Sequence, residues 1–346
     1  MASAAVVPGK PKPLASLFKR LTTVPLKEVK LSVGLDIGSS SIKAVALGSR
    51  KGSGTRSLLS HQQVPITAGQ ETDASEAIKH AIAKLQVPTR TVSIGVSGQW
   101  VIMRVVEMPT MKASEMKQAL PFEAQRYLPF NVQEVVIDGE ILGQADANKM
   151  WVLIVACKRE LLERRIDWVK RAGLEIAVID VDALALANAF LSTLDSAGVD
   201  GTRALLNIGA QLTNLVIFQR HVPYLVRDIP WGGDKLTRNL AEQMGIEASA
   251  LAAQLAAPAP SPELEAALKT ASETLVTEVQ LSFDYFENRF GHPPAEVFLA
   301  GGLSLSAPFM QALKAHVAQP VNAWTPLREL SGQFAVAYGL ALRTPS

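Results

Sequence analysis

The chain has 346 residues, 48% hydrophobic and 19% charged, long enough for two cores and too apolar to remain disordered. A formal net charge of +2 excludes the strongly basic face that nucleic acid calls for, and a single cysteine, Cys157, excludes an internal disulfide. The five histidines lack metal-ligand spacing, no apolar run reaches the ~18–20 residues that span a bilayer, and the N-terminus lacks a signal-peptide core, so a cytoplasmic, reduced protein is expected.

Residues 1–30 form a Pro- and Lys-rich leader. In "LASLFKRL", Leu14, Leu17, Phe18 and Leu21 recur at helical spacing with Lys19 and Arg20 opposite. This predicts either a short amphipathic helix for an anionic membrane surface or a flexible basic leader. From Leu31, "LSVGLDIGSSSIKAVALG" predicts a strand, a hairpin and a second strand, followed by a third near Leu58–Val64 and a helix from about Asp73 to Leu85. "TVSIGVSG" and "WVIMRVVEM" predict two strands joined around Gly98. A helix from about Ser114 to Tyr127 contains Pro121, which predicts a kink. "EVVIDGEIL" and "KMWVLIVAC" read as strands, and Cys157 within the second as a buried thiol. A helix then closes at Gly173, and "EIAVIDVDALALANAFL" reads as strand into helix. Three antiparallel strands follow in "RALLNIGAQLTNLVIF" and "HVPYLVRDIP", then a helix to Gly245, a long helix from about Glu263 to Phe290, the strand and turn "EVFLAGGLS", and a last helix in "FAVAYGLALR". Three-stranded units followed by helices occur twice, which points to a duplicated α/β architecture.

The two halves echo each other at their hairpins, Asp36-Ile37-Gly38 against Asn207-Ile208-Gly209. A glycine turn lets backbone N–H groups approach a phosphate, hydroxyls add donors, Lys43 adds a cation, and Asp36 holds Mg²⁺ through water. "FLAGGLS" offers bare backbone at Gly301-Gly302 for a purine and ribose. "WGGDKLT" opens a helix at Gly232-Gly233-Asp234, a ready anion site.

This ordered set resembles the actin-like ATPase superfamily over residues 31–346. Within it, "GLDIGSSSIKAV", "FEAQRYLPF", "VIDVDALALANAF", "RDIPWGGDKLT" and "LSFDYFENRFG" with "VFLAGG" resemble the PilM family, the cytoplasmic actin-like components of type IV pilus assembly. The related division protein FtsA shares the scheme but matches these stretches less closely. The resemblance implies an α/β, ribonuclease H-like fold of two lobes with a duplicated core and an FtsA-like inserted subdomain. Lobe one would comprise residues 31–64, 158–202 and 331–346, the inserted partner-binding subdomain 65–157, and lobe two 203–330. It implies ATP with Mg²⁺ between Asp36, Gly38, Ser39, Ser40, Ser41 and Lys43 on one side and Asn207, Gly209, Gln211, Thr213 and Asn214 on the other. Gly232, Gly233 and Asp234 would complete the phosphate site, with Gly301, Gly302, Leu303, Glu278 and Ser282 around the adenosine. Asn207 stands where an acid is usual, so ATP is expected to be a conformational ligand hydrolysed slowly or not at all, with Asp36 and Asp234 the candidate acids for ordering metal or water.

The implied partner is the cytoplasmic N-terminus of a PilN-like inner-membrane protein, besides other pilus motor or platform components, and it places the chain peripherally at the inner membrane. The expected groove wall is "ALPFEAQRYLPFNVQEVVID", with Phe122, Tyr127, Leu128, Pro129 and Phe130 as anchors. A sugar-kinase reading lacks an identifiable acid for a substrate hydroxyl. A division-protein reading is disfavoured because FtsA ends in an amphipathic membrane helix and this sequence ends "GLALRTPS". No P-loop is present, "GVSG" is not a nucleophile elbow, and Asp138 and Glu140 read as solvated.

Overall fold

The computed structural model describes residues 29–50, 56–66, 73–194 and 201–343, so the leader and its amphipathic stretch lie outside the described residues. Alternating apolar positions make β1 (Val29–Ile37), which buries Val33, Leu35 and Ile37. It pairs antiparallel with β2 (Ser41–Arg50), and β2 with β3 (Arg56–Pro65). Helix α1 (Ser75–Leu85) lays Ile78, Ala81 and Leu85 against these strands. β4 (Thr91–Val96) then returns parallel to β1, and β8 (Glu175–Val181) adds parallel to β4.

Lobe two repeats the order. β9 (Thr202–Ile208), β10 (Thr213–Gln219) and β11 (Val222–Ile229) form the antiparallel unit, and β12 (Glu296–Gly301) and β13 (Val321–Ala323) add in parallel. The sheets are therefore β3-β2-β1-β4-β8 and β11-β10-β9-β12-β13, the same sequence of edges, hairpins and crossovers. Helices α5 (Gly233–Met244), α6 (Ala248–Leu255), α7 (Pro262–Phe290) and α8 (Ala307–His316) belong to lobe two, and all four add to its core. Between the lobes run α4 (Asp182–Leu191) and α9 (Ala335–Ala341), which pack on each other. Phe190 of α4 stacks on Phe218 of β10 and touches Phe298 and Trp324, making one apolar seam across both halves.

The inserted unit is smaller than expected. It consists of β5 (Val101–Pro109), α2 (Ala113–Ala124), β6 (Val135–Asp146) and β7 (Lys149–Lys158), in the order β5-β7-β6, and α3 (Arg159–Arg171) leads back to β8. The boundary at residue 65 is thus corrected: α1 and β4 belong to lobe one, because β4 fills the slot between β1 and β8 and α1 covers the face of β2 and β3. Pro121 lies inside α2, which ends three residues later at Ala124 rather than running to Tyr127.

Candidate functional site

The two hairpin tips face each other across a cavity of about 510 Å³, within the range of small-ligand sites. In the first, Asp36 and Lys43 are cross-strand neighbours, and Lys43 Nζ stands 3.3 Å from Asp36 Oδ2. Gly38 N–H closes the turn on the Ser41 carbonyl at 3.2 Å, leaving Ser39 and Ser40 exposed at the tip. The second hairpin has the same geometry with different chemistry. Asn207 pairs with Asn214, and Gly209 N–H donates to the Leu212 carbonyl at 2.9 Å. Asn207 Nδ2 donates to Asn214 Oδ1 at 2.9 Å, Asn214 Nδ2 donates to Asp228 Oδ1 at 2.8 Å, and Gly98 N–H donates to Asp228 Oδ2 at 2.7 Å. A carboxylate only accepts, so Asp228 claims the amide of Asn214 and turns its oxygen toward position 207, which must then donate. Asparagine at 207 supplies that donor.

The floor of the cleft carries groups that a sequence pattern does not reveal. Asp182, the first residue of α4, accepts a hydrogen bond from Ser97 Oγ at 2.6 Å. Burial, and then the charge of Asp36, push its carboxyl up to about 7, against the pull of Ser97 and Arg165. It fits there because residue 95 is glycine: a Cβ at Gly95 would lie 1.8 Å from Asp182 Oδ1. Arg165 of α3 donates to the Ile37 carbonyl, and its Nε is a buried donor with no partner among the described residues. Desolvation lowers its pKa, while Asp182 and Asp36 hold it up. A buried cation with a spare donor, Lys43, two exposed serine hydroxyls and two glycine turns form a donor set suited to a polyphosphate.

The other expected site residues divide between the cleft and positions outside it. Gly301 and Gly302 do line the cleft; Gly301 has φ +87°, and a Cβ there would meet the Ile208 carbonyl at 2.3 Å. Gln211 also lines it. Ser41 is buried and accepts from Gln63, Thr213 is buried with its hydroxyl on the Trp231 carbonyl, and neither is among the residues lining the cleft. The expectation of an anion site at Gly232-Gly233-Asp234 is corrected. Gly233 and Asp234 donate their N–H groups to the Gly209 and Ala210 carbonyls at 2.9 and 2.8 Å, so the start of α5 braces the second turn from behind. Leu303 packs into lobe two beside Gly233. Glu278 and Ser282 also fail to reach the cleft: Arg227 of β11 binds both, and Ser282 lines a separate cavity beside β5.

A second recess, about 620 Å³, lies where the inserted sheet meets lobe one. Two strand edges border it, β6 at the rim of its sheet and β8 at the rim of the lobe-one sheet. Val136 and Ile179 are 41% and 36% exposed there, large apolar side chains left without cover. Cys157 lines the recess, and burial pushes its thiol up to about 11. Asp138 and Glu140 are exposed, as expected, and line it too. The five expected anchors do not. Phe130 stacks near Trp100 with Lys158 over both rings, Leu128 packs on the small core under α2, and Phe122, Tyr127 and Pro129 are exposed outside the recess.

Residues 34–345 match the family described as type IV pilus assembly protein PilM. The chain belongs to that family. The solved PilM-PilN type IV pilus biogenesis complex is similar with a TM-score of 0.79 and 25% identity, over 90% of this chain and 97% of that one. Ethanolamine utilization protein EutJ from Carboxydothermus hydrogenoformans, at TM-score 0.55 and 13% identity over 90% and 89% of the two chains, shares the fold. Cell division protein FtsA of Bacillus subtilis (strain 168) is 25% identical over 249 residues, 61% of this chain, and the match spans 54% of FtsA. The fold of this PilM family member is thus the two-lobed actin-like one expected.

Asp182, Arg165, Ser97 and Asp228 went unnoticed in the sequence of this PilM family member. Asp182 sits in the quoted stretch "VIDVDALALANAF", and an acid opening a helix directly after a buried strand is the signal that was available. Arg165 lies in an otherwise ordinary amphipathic helix and gives no such signal.

Proposed function

We propose that this chain is an ATP-binding scaffold of type IV pilus assembly that docks the cytoplasmic N-terminus of a PilN-like membrane protein in the recess between β6 and β8. The observation that carries the reading is the pair of open strand edges with exposed Val136 and Ile179, a surface that an added extended peptide would cover. No helix among the described residues is long and apolar enough to cross a membrane. Membrane attachment through such a partner, peripheral at the inner membrane, is part of the proposal.

In the cleft, the tip of the first hairpin with Lys43 and Arg165 would hold the phosphates, Asp36 would order hydrated Mg²⁺, and the Gly301-Gly302 turn would leave room for the base. Bound Mg-ATP supplies a polyanion shared by both lobes. Asn207 and Asn214 position backbone there but accept no proton, which supports slow turnover. Asp182, held near neutrality and hydrogen-bonded to Ser97, is the carboxyl on which residual hydrolysis would rest. Two measurements test the reading. Titration of a synthetic peptide copying the N-terminus of the PilN-like protein should show saturable binding that Ile179→Asp abolishes. Single-turnover phosphate release should be slow in the wild type and slower still in Asp182→Asn. Absence of peptide binding, or peptide binding indifferent to Ile179→Asp, would remove the docking half of the proposal. Brisk release that is unchanged by Asp182→Asn would remove the catalytic assignment.

A further inference from the structure

Asp180 lies on β8 inside the recess, 9% exposed. Its Oδ1 accepts the N–H of Val181 at 2.8 Å. Its Oδ2 is buried and accepts no aligned hydrogen bond among the described residues, although Arg343 Nε stands 3.0 Å away. The pair satisfies charge but not direction: the guanidinium is close enough to attract the carboxylate, yet its N–H is not aimed at the oxygen. Arg343 is itself 45% exposed and lines the same recess. Across from it, β6 contributes Asp138 and Glu140 at alternate positions of one face, both exposed. Three carboxylates therefore line this recess against Arg343 and the single imidazole of His221. Between two open strand edges, that balance selects an extended segment bearing positive charge.

We infer that Asp180 is the specificity-determining residue of the recess, taking a cationic donor of the docked peptide in the position that Arg343 now occupies. The inference rests on the docking reading above and adds its chemistry. The donor has two sources, a lysine or arginine side chain or the free α-ammonium of the peptide, and both present N–H groups that can align on Oδ2. Binding then exchanges a misaligned internal ion pair for an aligned one and releases Arg343 to solvent. Asp138 and Glu140 supply the field that draws the cation in, while Val136 and Ile179 take its apolar neighbours.

The test uses the full chain and three forms of the PilN-like N-terminal peptide: native, with every lysine and arginine replaced by glutamine, and with the α-amine acetylated. Fluorescence anisotropy gives the affinity of each for the wild type, Asp180→Asn and Arg343→Gln. Asp180→Asn preserves the acceptor for Val181 N–H and removes the charge. It should weaken native-peptide binding by about 10-fold or more, in line with loss of a charge-assisted hydrogen bond. One of the neutralised peptides should lose as much on the wild type and lose nothing further on Asp180→Asn, and which one it is names the donor. Arg343→Gln should tighten the native peptide by removing the internal occupant. Equal weakening of all three peptides by Asp180→Asn would reduce Asp180 to a structural role. Native-peptide affinity unchanged in Asp180→Asn would overturn the inference while leaving docking intact. Failure of the native peptide to bind the wild type would overturn both.

Discussion

The two hairpins that face each other across the cleft have the same backbone and opposite chemistry. In the first, Asp36 and Lys43 form an ion pair near a tip that carries exposed hydroxyls, so its charges are available to a ligand. In the second, Asn207 and Asn214 pass hydrogen bonds inward to Asp228 and on to the N–H of Gly98, between β4 and the inserted sheet. Both pairs line the cleft, the first as an ion pair and the second as amides tied inward to Asp228. Duplication preserved the turn, Gly38 and Gly209 closing on Ser41 and Leu212, and let the paired side chains diverge. An acid at 207 would set a carboxylate against the Oδ1 end of Asn214, which has no hydrogen to offer while Nδ2 is held by Asp228.

The largest expected effect tests whether the first hairpin is the charged one in function as in structure. Lys43→Ala should weaken nucleotide binding by about 100-fold, measured calorimetrically, since charge-assisted contacts are the strong ones. Asn214→Ala should weaken it by only about 2- to 10-fold, the value of a neutral hydrogen bond; equal losses would end the comparison. Next, Asn207→Asp should destabilise the fold by about 1–3 kcal/mol in urea melts, because the new acceptor competes with Asp228 for Asn214. Adding Asp228→Asn should restore most of that loss. If Asn207→Asp proves as stable as the wild type, the hydrogen-bond account of Asn207 is wrong. The smallest effect concerns pH. Asp182 has a folded pKa above its unfolded one, so its contribution to stability is present in acid and is lost as pH rises toward and through about 7. Asp182→Asn should therefore gain melting temperature relative to the wild type as pH increases from 5 to about 8. A constant difference across that range would place the carboxyl in a less desolvated setting than its burial implies.

The architecture was legible because its markers are local. Alternation in "LSVGLDI", the apolar run of "RALLNI" and the glycine turns each specify an element without reference to the rest of the chain. The hairpin halves of the site were legible for the same reason. What failed depended on distant partners. Gly233 and Asp234 look like free helix N–H groups until the carbonyls of Gly209 and Ala210 take them. Glu278 and Ser282 look like ligand contacts until Arg227 arrives from β11. The aromatic residues of "FEAQRYLPF" lie outside the recess, with Phe122 exposed and Phe130 beside Trp100. By contrast, Asp138 is exposed as its sequence suggests, and only the fold places it in the recess with β8. The same limit hid Asp182, whose environment is assembled from β1, β4, α3 and α4.

Cys157 gives this architecture a built-in reporter. It is the sole thiol among 346 residues, and it stands in the wall of the recess between the inserted sheet and lobe one. Burial pushes its pKa up to about 11 and so disfavours the thiolate that alkylation needs. An occupant of the recess would cover this sulfur. The native chain, without any engineered label, thus carries a single thiol whose alkylation rate would report whether that surface is filled.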